Sequence, residues 1–160
     1  MGPALKTLLF TFVVPGTVTV LIPYFIVTRT EAWSAGPIRY AGIPFMCIGI
    51  AIYARCARDF AVRGRGTPAP IDSPKVLIIH GLYRYVRNPM YVGVLTVLLG
   101  EIIWFRSPIL LVYSGFFFAL FNIFVRLYEE PKLLHLFGGR YTAYRMEVPR
   151  WWPHITRRKE

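Results

Sequence analysis

The sequence predicts an all-α fold: a multi-pass transmembrane helical bundle of about four spans with an interfacial C-terminal helix. Three observations carry that prediction. Apolar residues fill 55% of the 160 positions, and the mean hydropathy of +0.45 is too high for an ordinary soluble domain of this length. Several apolar runs approach the ~20 residues that a helix needs to cross the hydrocarbon core of a bilayer. Lys and Arg number 19 against 8 Asp and Glu, a net charge of +11, and most of these cations fall between or after the apolar runs, as in cytoplasmic loops of membrane proteins. On a soluble chain such an excess would suggest nucleic acid. Here its distribution argues against nucleic acid and for a membrane, with anionic lipid headgroups as a secondary attraction.

The length suits one domain, 1–160. The first span is expected at 5–27, with Pro15-Gly16 and Pro23 as kinks that neighbouring helices must cover. Its apolar run is longer than a signal-peptide core and is read as a retained span. Lys6 stands where a myristoylation motif wants Ser or Thr, which argues against lipidation at Gly2. The connection TRTEAWSAGPIR leads to a second span at 40–60, which ends in Arg55, Arg58 and Asp59. Cys47 and Cys56 both lie in this span, outside any CxxC pattern, and are expected as buried free thiols.

The long polar stretch that follows is too rich in Gly and Pro near residues 63–74 to be one helix. Gly64-Arg65-Gly66 lacks the third glycine and the βαβ context of a dinucleotide fingerprint. VLII at 76–79 is expected to be extended or to lie against the membrane. The third span is expected at 89–105, Arg106-Ser107-Pro108 as a tight hairpin, and the fourth span at 109–128. Glu101 is expected to snorkel or to pair with Arg106, and the aromatic residues of FFFALF to face lipid or pack. Beyond Glu129-Glu130-Pro131, the residues Leu133, Leu134, Phe137, Tyr141 and Tyr144 have the spacing of one apolar or interfacial face. Trp151 and Trp152 suit the headgroup belt. Arg29, Arg39 and Arg106 flank the two short connections, and nearly all other cations lie on the opposite side. Both termini are therefore expected in the cytoplasm, and in a bacterium the host would be the inner membrane.

The segment HGLYRYVRNPMYVG from His80 is dense in polar groups at the mouth of an apolar helix. Asn88-Pro89 is a good helix start. The positive end of the helix dipole, with Arg84 and Arg87 just before it, can receive a carboxylate or phosphate; equally, these arginines can simply grip lipid phosphates. The fourth span runs antiparallel to the third, so Glu129 and Glu130 come to the same edge. Carboxylates at a helix C-terminus oppose its dipole and call for a cation, supplied either by Arg126 one turn earlier or by a ligand. A ligand with a carboxylate, an ammonium and a soft third cation near Tyr83, Tyr91 and Tyr128 would satisfy every group. S-adenosylmethionine has that pattern, and aromatic faces attract its sulfonium.

The motifs R-x-P-x-Y-x-G at Arg87–Gly93, E-E at Glu129-Glu130 and FG-xx-Y-xx-Y at Phe137–Tyr144 resemble those of the integral membrane methyltransferases. That superfamily includes the isoprenylcysteine carboxyl methyltransferases and the phospholipid N-methyltransferases. The likeness covers about 67–153, whereas the first two spans match only in character. It implies S-adenosylmethionine as cofactor, a cytosol-facing pocket and a lipophilic or lipid-like acceptor. By the same resemblance Leu77, Ile78 and Gly81 would contact the adenosine part through backbone, Tyr83 through its ring, and Asn88 and Tyr91 would touch the cofactor. Glu129 would engage its ammonium, and Arg87, Arg126 and Glu130 would carry the catalytic roles. Asn88 stands where the prenylcysteine branch has His, and Val125 where that branch has a substrate-facing Arg, which argues against a prenylcysteine carboxylate. Transfer is expected by in-line attack of the acceptor on the sulfonium methyl, without a metal. Sterol-type NADPH-dependent reductases share a related C-terminal pattern and form the alternative, with a non-catalytic protein keeping the pocket as a third.

Overall fold

The computed structural model describes residues 3–30, 36–60, 62 and 76–153. The connection at 31–35, the Gly- and Pro-rich stretch at 63–75 and the basic tail from His154 lie outside them. Helices account for nearly all the regular structure, and three are long and apolar enough to cross a membrane: Leu9–Arg29, Pro37–Asp59 and Pro108–Phe137. A shorter apolar helix, Pro89–Phe105, joins them. At 17 residues it is about 26 Å long, close to the thickness of a bilayer core. The protein is an all-α integral membrane bundle.

Span one is α1 (Pro3–Gly16), a π turn (Thr17–Leu21) and α2 (Ile22–Arg29) in one continuous rod. The kinks foreseen at Pro15-Gly16 and Pro23 become this wider turn: the Ile22 amide donates five residues back to Thr17 O, and Pro23, one step on, has no amide to give Val18 O. Three hydroxyls cover carbonyls around the break: Thr17 donates to Val13 O, Thr19 donates to Pro15 O at 2.8 Å, and Tyr113 Oη donates to Val18 O at 2.8 Å. The bond from Tyr113 ties span one to the fourth span. Val18, Val94 and Leu98 form a buried cluster between the spans, with Tyr53, Leu95, Tyr113, Phe117 and Phe121 packed around it.

The closest packing joins α3 (Gly42–Asp59) to α4 (Pro89–Phe105). Gly42 meets Gly100, and Gly49 meets Gly93, in antiparallel register. A Cβ on Gly49 would sit 2.6 Å from the Gly93 carbonyl oxygen, and one on Gly42 would strike the Gly100 carbonyl. Within each helix the two glycines are two turns apart, so both face the partner. In a bilayer, where lipid is as apolar as leucine, such small-residue contact is what draws helices together.

At the opposite end of the bundle the 3₁₀ turn Pro37–Ala41 sets the Arg39 guanidinium 4.4 Å from the Trp104 ring centroid. Arg106 then adopts a left-handed conformation (φ 49°) and its amide closes α4 on Ile102 O at 2.8 Å. The foreseen hairpin follows, and α5 (Pro108–Phe124) begins. Glu101 is buried rather than snorkelling, and its Oε2 has no partner among the described residues. The FFFALF run divides as expected: Phe116 and Phe118 are exposed on the apolar surface, while Phe117 and Phe121 pack inward.

Three expectations need correction. Glu129 and Glu130 are not at a helix end, because a π turn (Val125–Glu129) carries the rod straight into α6 (Glu130–Phe137). Pro131 is tolerated there because it sits in the first turn of the resumed helix. The C-terminal segment is not one helix: Gly138 (φ 51°, ψ −128°) breaks it before α7 (Gly139–Glu147), so Leu133 and Tyr144 do not share a single face. Of the two free cysteines Cys56 is buried, but Cys47 is exposed on the outside of α3.

Candidate functional site

The loop before α4 and the segment at 144–151 meet at one end of the bundle. Residues 76–80 are irregular, and Gly81–Arg84 forms a 3₁₀ turn entered through Gly81 at φ 60°. Leu77 is half-buried and Ile78 buried. Ile78 clusters with Cys56 and Tyr83, against Phe60, Leu82 and Met90. Tyr83 is buried, its hydroxyl in hydrogen-bond contact with the Cys56 thiol and its ring edge-on to Phe60 at 5.9 Å. Burial pushes its phenol well above the ordinary range, so Tyr83 acts as a neutral group.

The two glutamates have different surroundings although they are adjacent. Glu130 is buried, and Arg150 grips it with both arms of its fork, Nε to Oε1 at 2.7 Å and Nη2 to Oε2 at 2.8 Å. Arg87 Nη1 adds a third bond to Oε1 at 3.0 Å. The bonds to Glu130 push the Arg150 guanidinium further up, so it stays charged. Among the described residues Glu129 instead accepts one bond, from Tyr91 Oη at 2.8 Å. An ionised carboxylate offers about four acceptor positions, which leaves Glu129 with capacity for a donor.

Residues 149–151 lie across the start of α4. The Arg87 amide donates to Pro149 O at 2.9 Å, and Asn88 Nδ2 donates to Arg150 O at 3.2 Å. Asn88 therefore holds the tail, and its side chain does not cap the helix as the sequence suggested. Tyr144 Oη donates to Tyr83 O at 2.7 Å, pinning α7 to the 3₁₀ turn. Trp151 Nε1 donates to Asn122 Oδ1 at 3.2 Å, and its ring lies 6.4 Å from Tyr91 and 5.5 Å from Phe118. Trp152 is 84% exposed, so only the second of the two tryptophans is free to seek the headgroup belt.

Arg87, Asn88, Tyr91, Glu129 and Glu130 thus come together, with Gly81 and Tyr83 alongside. Arg126 does not join them. It is exposed, and the cations on Glu130 come from Arg87 and Arg150. The π turn explains the miss, since its wider winding removes the regular i, i+4 alignment between Arg126 and Glu130. Sequence reasoning overlooked Arg150 and Asn122, and had Tyr144 only as a motif and interfacial residue, without its bond to the Tyr83 turn. The one available signal was Arg150 itself, a lone cation between Pro149 and Trp151 in a segment assigned to lipid contact.

On the lipid side of this site, a cleft of about 630 Å³ opens between spans one, two and the third helix. Phe12, Pro15, Val20, Ile50, Val94 and Val97 give it mainly apolar walls, and Arg58 stands at its rim. Tyr53 forms its inner wall, bonded to Thr11 at 3.0 Å and within electrostatic reach of Tyr91.

The sequence model of phospholipid methyltransferases matches residues 37–140, from the start of span two into α7. The chain belongs to the phospholipid methyltransferase family. The match reaches further toward the N-terminus than the motifs, and takes in the glycine-packed α3–α4 pair. A relative is the protein-S-isoprenylcysteine O-methyltransferase of Xenopus laevis, 33% identical over 81 residues. That segment is 49% of this chain but only 27% of the relative's length. No solved structure matches the chain significantly.

Proposed function

We propose that the protein is an S-adenosylmethionine-dependent methyltransferase acting on a lipophilic or lipid-like acceptor. The observation that carries this reading is the inequality of the two glutamates. Glu130 is saturated by two guanidinium groups, whereas Glu129 has one neutral partner and remains able to accept an ammonium. Family membership supplies the methyl-transfer class, and the relative's name speaks of a lipid-modified acceptor.

The residues present fit that cofactor. Gly81 at positive φ has no Cβ to keep a nucleoside away from the backbone at 77–81. Glu129 would hold the ammonium, and the rings of Tyr91, Phe121 and Trp151 provide faces that favour a sulfonium. When bound, S-adenosylmethionine supplies a methyl group already activated for displacement. The chain then has to orient and to exclude water. Leu77, Ile78 and Tyr83 line the nucleoside side, and Asn88 fixes the tail that carries Trp151 over Tyr91. Arg87 and Glu130 act by clamping that tail. Arg126 has no geometric support for a part in the chemistry.

The acceptor's apolar chain would enter through the cleft from the bilayer, while the cofactor would enter from the cytoplasmic side marked by the basic loops. Tyr53 lines the cleft and lies within electrostatic reach of Tyr91, so it would connect the two. Purified protein incubated with methyl-labelled S-adenosylmethionine and native lipid extract is expected to yield a labelled lipid-soluble product. Absence of label from every lipid fraction, with the cofactor bound, would reject the acceptor class.

A further inference from the structure

Of the residues that line the cleft, only Thr11, Thr19, Tyr53 and Arg58 are polar. Arg58 stands at the rim, and the Thr19 hydroxyl is spent on Pro15 O. That leaves Tyr53 Oη and Thr11 Oγ1, bonded at 3.0 Å, as the polar spot on otherwise apolar walls. The bond joins span one to α3, and tethering two helices would by itself be reason enough for it. A phenol hydroxyl offers one donor and two acceptor positions, however, and this bond occupies one of the three.

The placement of Tyr53 gives that spare capacity a direction. The glycine contacts set the register of α3 against α4: a Cβ on Gly93 would lie 2.9 Å from the Gly49 carbonyl oxygen and 3.1 Å from the Tyr53 amide nitrogen. Tyr53 is therefore level with the first two turns of α4, which carry Tyr91. Its ring packs, as Phe121 does, against the cluster of Val18, Val94 and Leu98, and Phe121 lies 4.7 Å from the Tyr91 ring. Val94 belongs to that cluster and also lines the cleft. The inner wall of the cleft and the aromatic faces offered to a sulfonium thus share side chains. Beside Tyr53, Ala54 and Ala57 keep the way to the rim open.

We propose that Tyr53 is the positioning residue for the acceptor: its hydroxyl, held by Thr11, bonds the polar group next to the reacting atom while one apolar chain lies in the cleft. The assignment deepens the methyl-transfer reading and rests on it. A cleft of about 630 Å³ takes roughly twenty groups the size of a water, at ~30 Å³ each, which is one chain with its head and not two. Apolar contact along the chain supplies affinity without direction, whereas the hydroxyl fixes where the head stops. The two roles therefore separate in kinetics.

The test is single-turnover methyl transfer from labelled S-adenosylmethionine to native lipid extract, with the full chain in mixed micelles and the amount of extract varied. Tyr53→Phe, which keeps the ring, is expected to lower the maximal rate about ten-fold and to move half-saturation by no more than about two-fold. Thr11→Val is expected to lower the maximal rate about three-fold, since the hydroxyl loses its holder. Ala54 is exposed, so Ala54→Leu narrows the cleft without disturbing helix packing. It is expected to raise half-saturation about ten-fold and to leave the maximal rate within about two-fold. Affinity for S-adenosylmethionine, read by calorimetry, is expected to stay within about two-fold of wild type in all three variants. An unchanged maximal rate in Tyr53→Phe and Thr11→Val, or cofactor affinity falling in step with the rate, would mark the bond as a tether only and overturn the assignment. Unchanged half-saturation in Ala54→Leu would overturn the cleft as the seat of the chain. No labelled lipid product from wild type, with the cofactor bound, would instead reject the acceptor class, and this assignment with it.

Discussion

Replacing Glu130 by Gln tests the clamp that closes the site. Its side chain is 8% exposed, and it faces Arg87 at 10% and Arg150 at 23% exposure. At ~3 Å and an effective dielectric of ~20, each charge pair attracts by about 5 kcal/mol before the cost of desolvating both ions. Removing one partner of a buried pair typically costs about 3–5 kcal/mol, because the other charge is left behind. Glutamine keeps an acceptor, so Glu130→Gln is expected to cost about 3 kcal/mol. Arg150→Ala leaves the Arg87 bond intact and is expected to cost about 2 kcal/mol. The double variant should fall short of the sum by about 1–2 kcal/mol, since both changes break the same bonds. Unfolding in mixed micelles, followed by tryptophan fluorescence, reads this through Trp151, which adjoins Arg150. Additivity within about 0.5 kcal/mol would show that the bonds are not shared and would refute the clamp.

Other outcomes follow from the same geometry. Gly49→Ala is expected to force α3 and α4 apart and cost about 1–3 kcal/mol, because its Cβ would overlap the Gly93 carbonyl and Val97; an unchanged melting temperature would contradict that packing. Gly138→Ala has open space around it but the wrong backbone region, so strain alone should cost about 1–3 kcal/mol by the same melting assay. A small membrane-permeant thiol reagent should label Cys47 rapidly and Cys56 only on unfolding, as mass spectrometry of the labelled chain would show. Trp151→Phe should weaken cofactor binding and stability together, whereas Trp152→Phe should change neither in a paired titration and melt.

Much of this architecture was legible because membrane insertion imposes simple rules. Run length placed the starts of the four helices within a few residues, and the third matches its expected bounds, but the fourth continues as a rod to Phe137, well beyond its expected end. Pro15 and Pro23 announced breaks in span one, although the sequence does not say that a π turn lies between them or that Tyr113 covers the Val18 carbonyl that Pro23 leaves without an amide. The Gly42, Gly49, Gly93 and Gly100 pattern was readable in principle, since two-turn spacing on both helices is a packing signal. It was missed because each glycine alone looks like an ordinary interruption.

At the site, Arg87, Asn88, Tyr91 and the two glutamates were found from motif and dipole arguments. Their division of labour was not. Which glutamate is saturated depends on Arg150, which returns from the end of the chain across many residues, and on a π turn that shifts Arg126 out of line. Asp59 was noted only as a charge at the end of a span, because its burial against Gly81 is a tertiary fact. Long-range contacts and irregular helix winding leave little trace in local spacing.

The central claim is that Glu129 keeps a free carboxylate face for the ammonium of a methyl donor. Titration of S-adenosylmethionine into wild type and Glu129→Gln tests it most directly. The wild-type protein is expected to bind, and the variant to bind at least about thirty-fold more weakly, as for loss of a buried charge pair. Equal affinity in the two proteins would contradict the account.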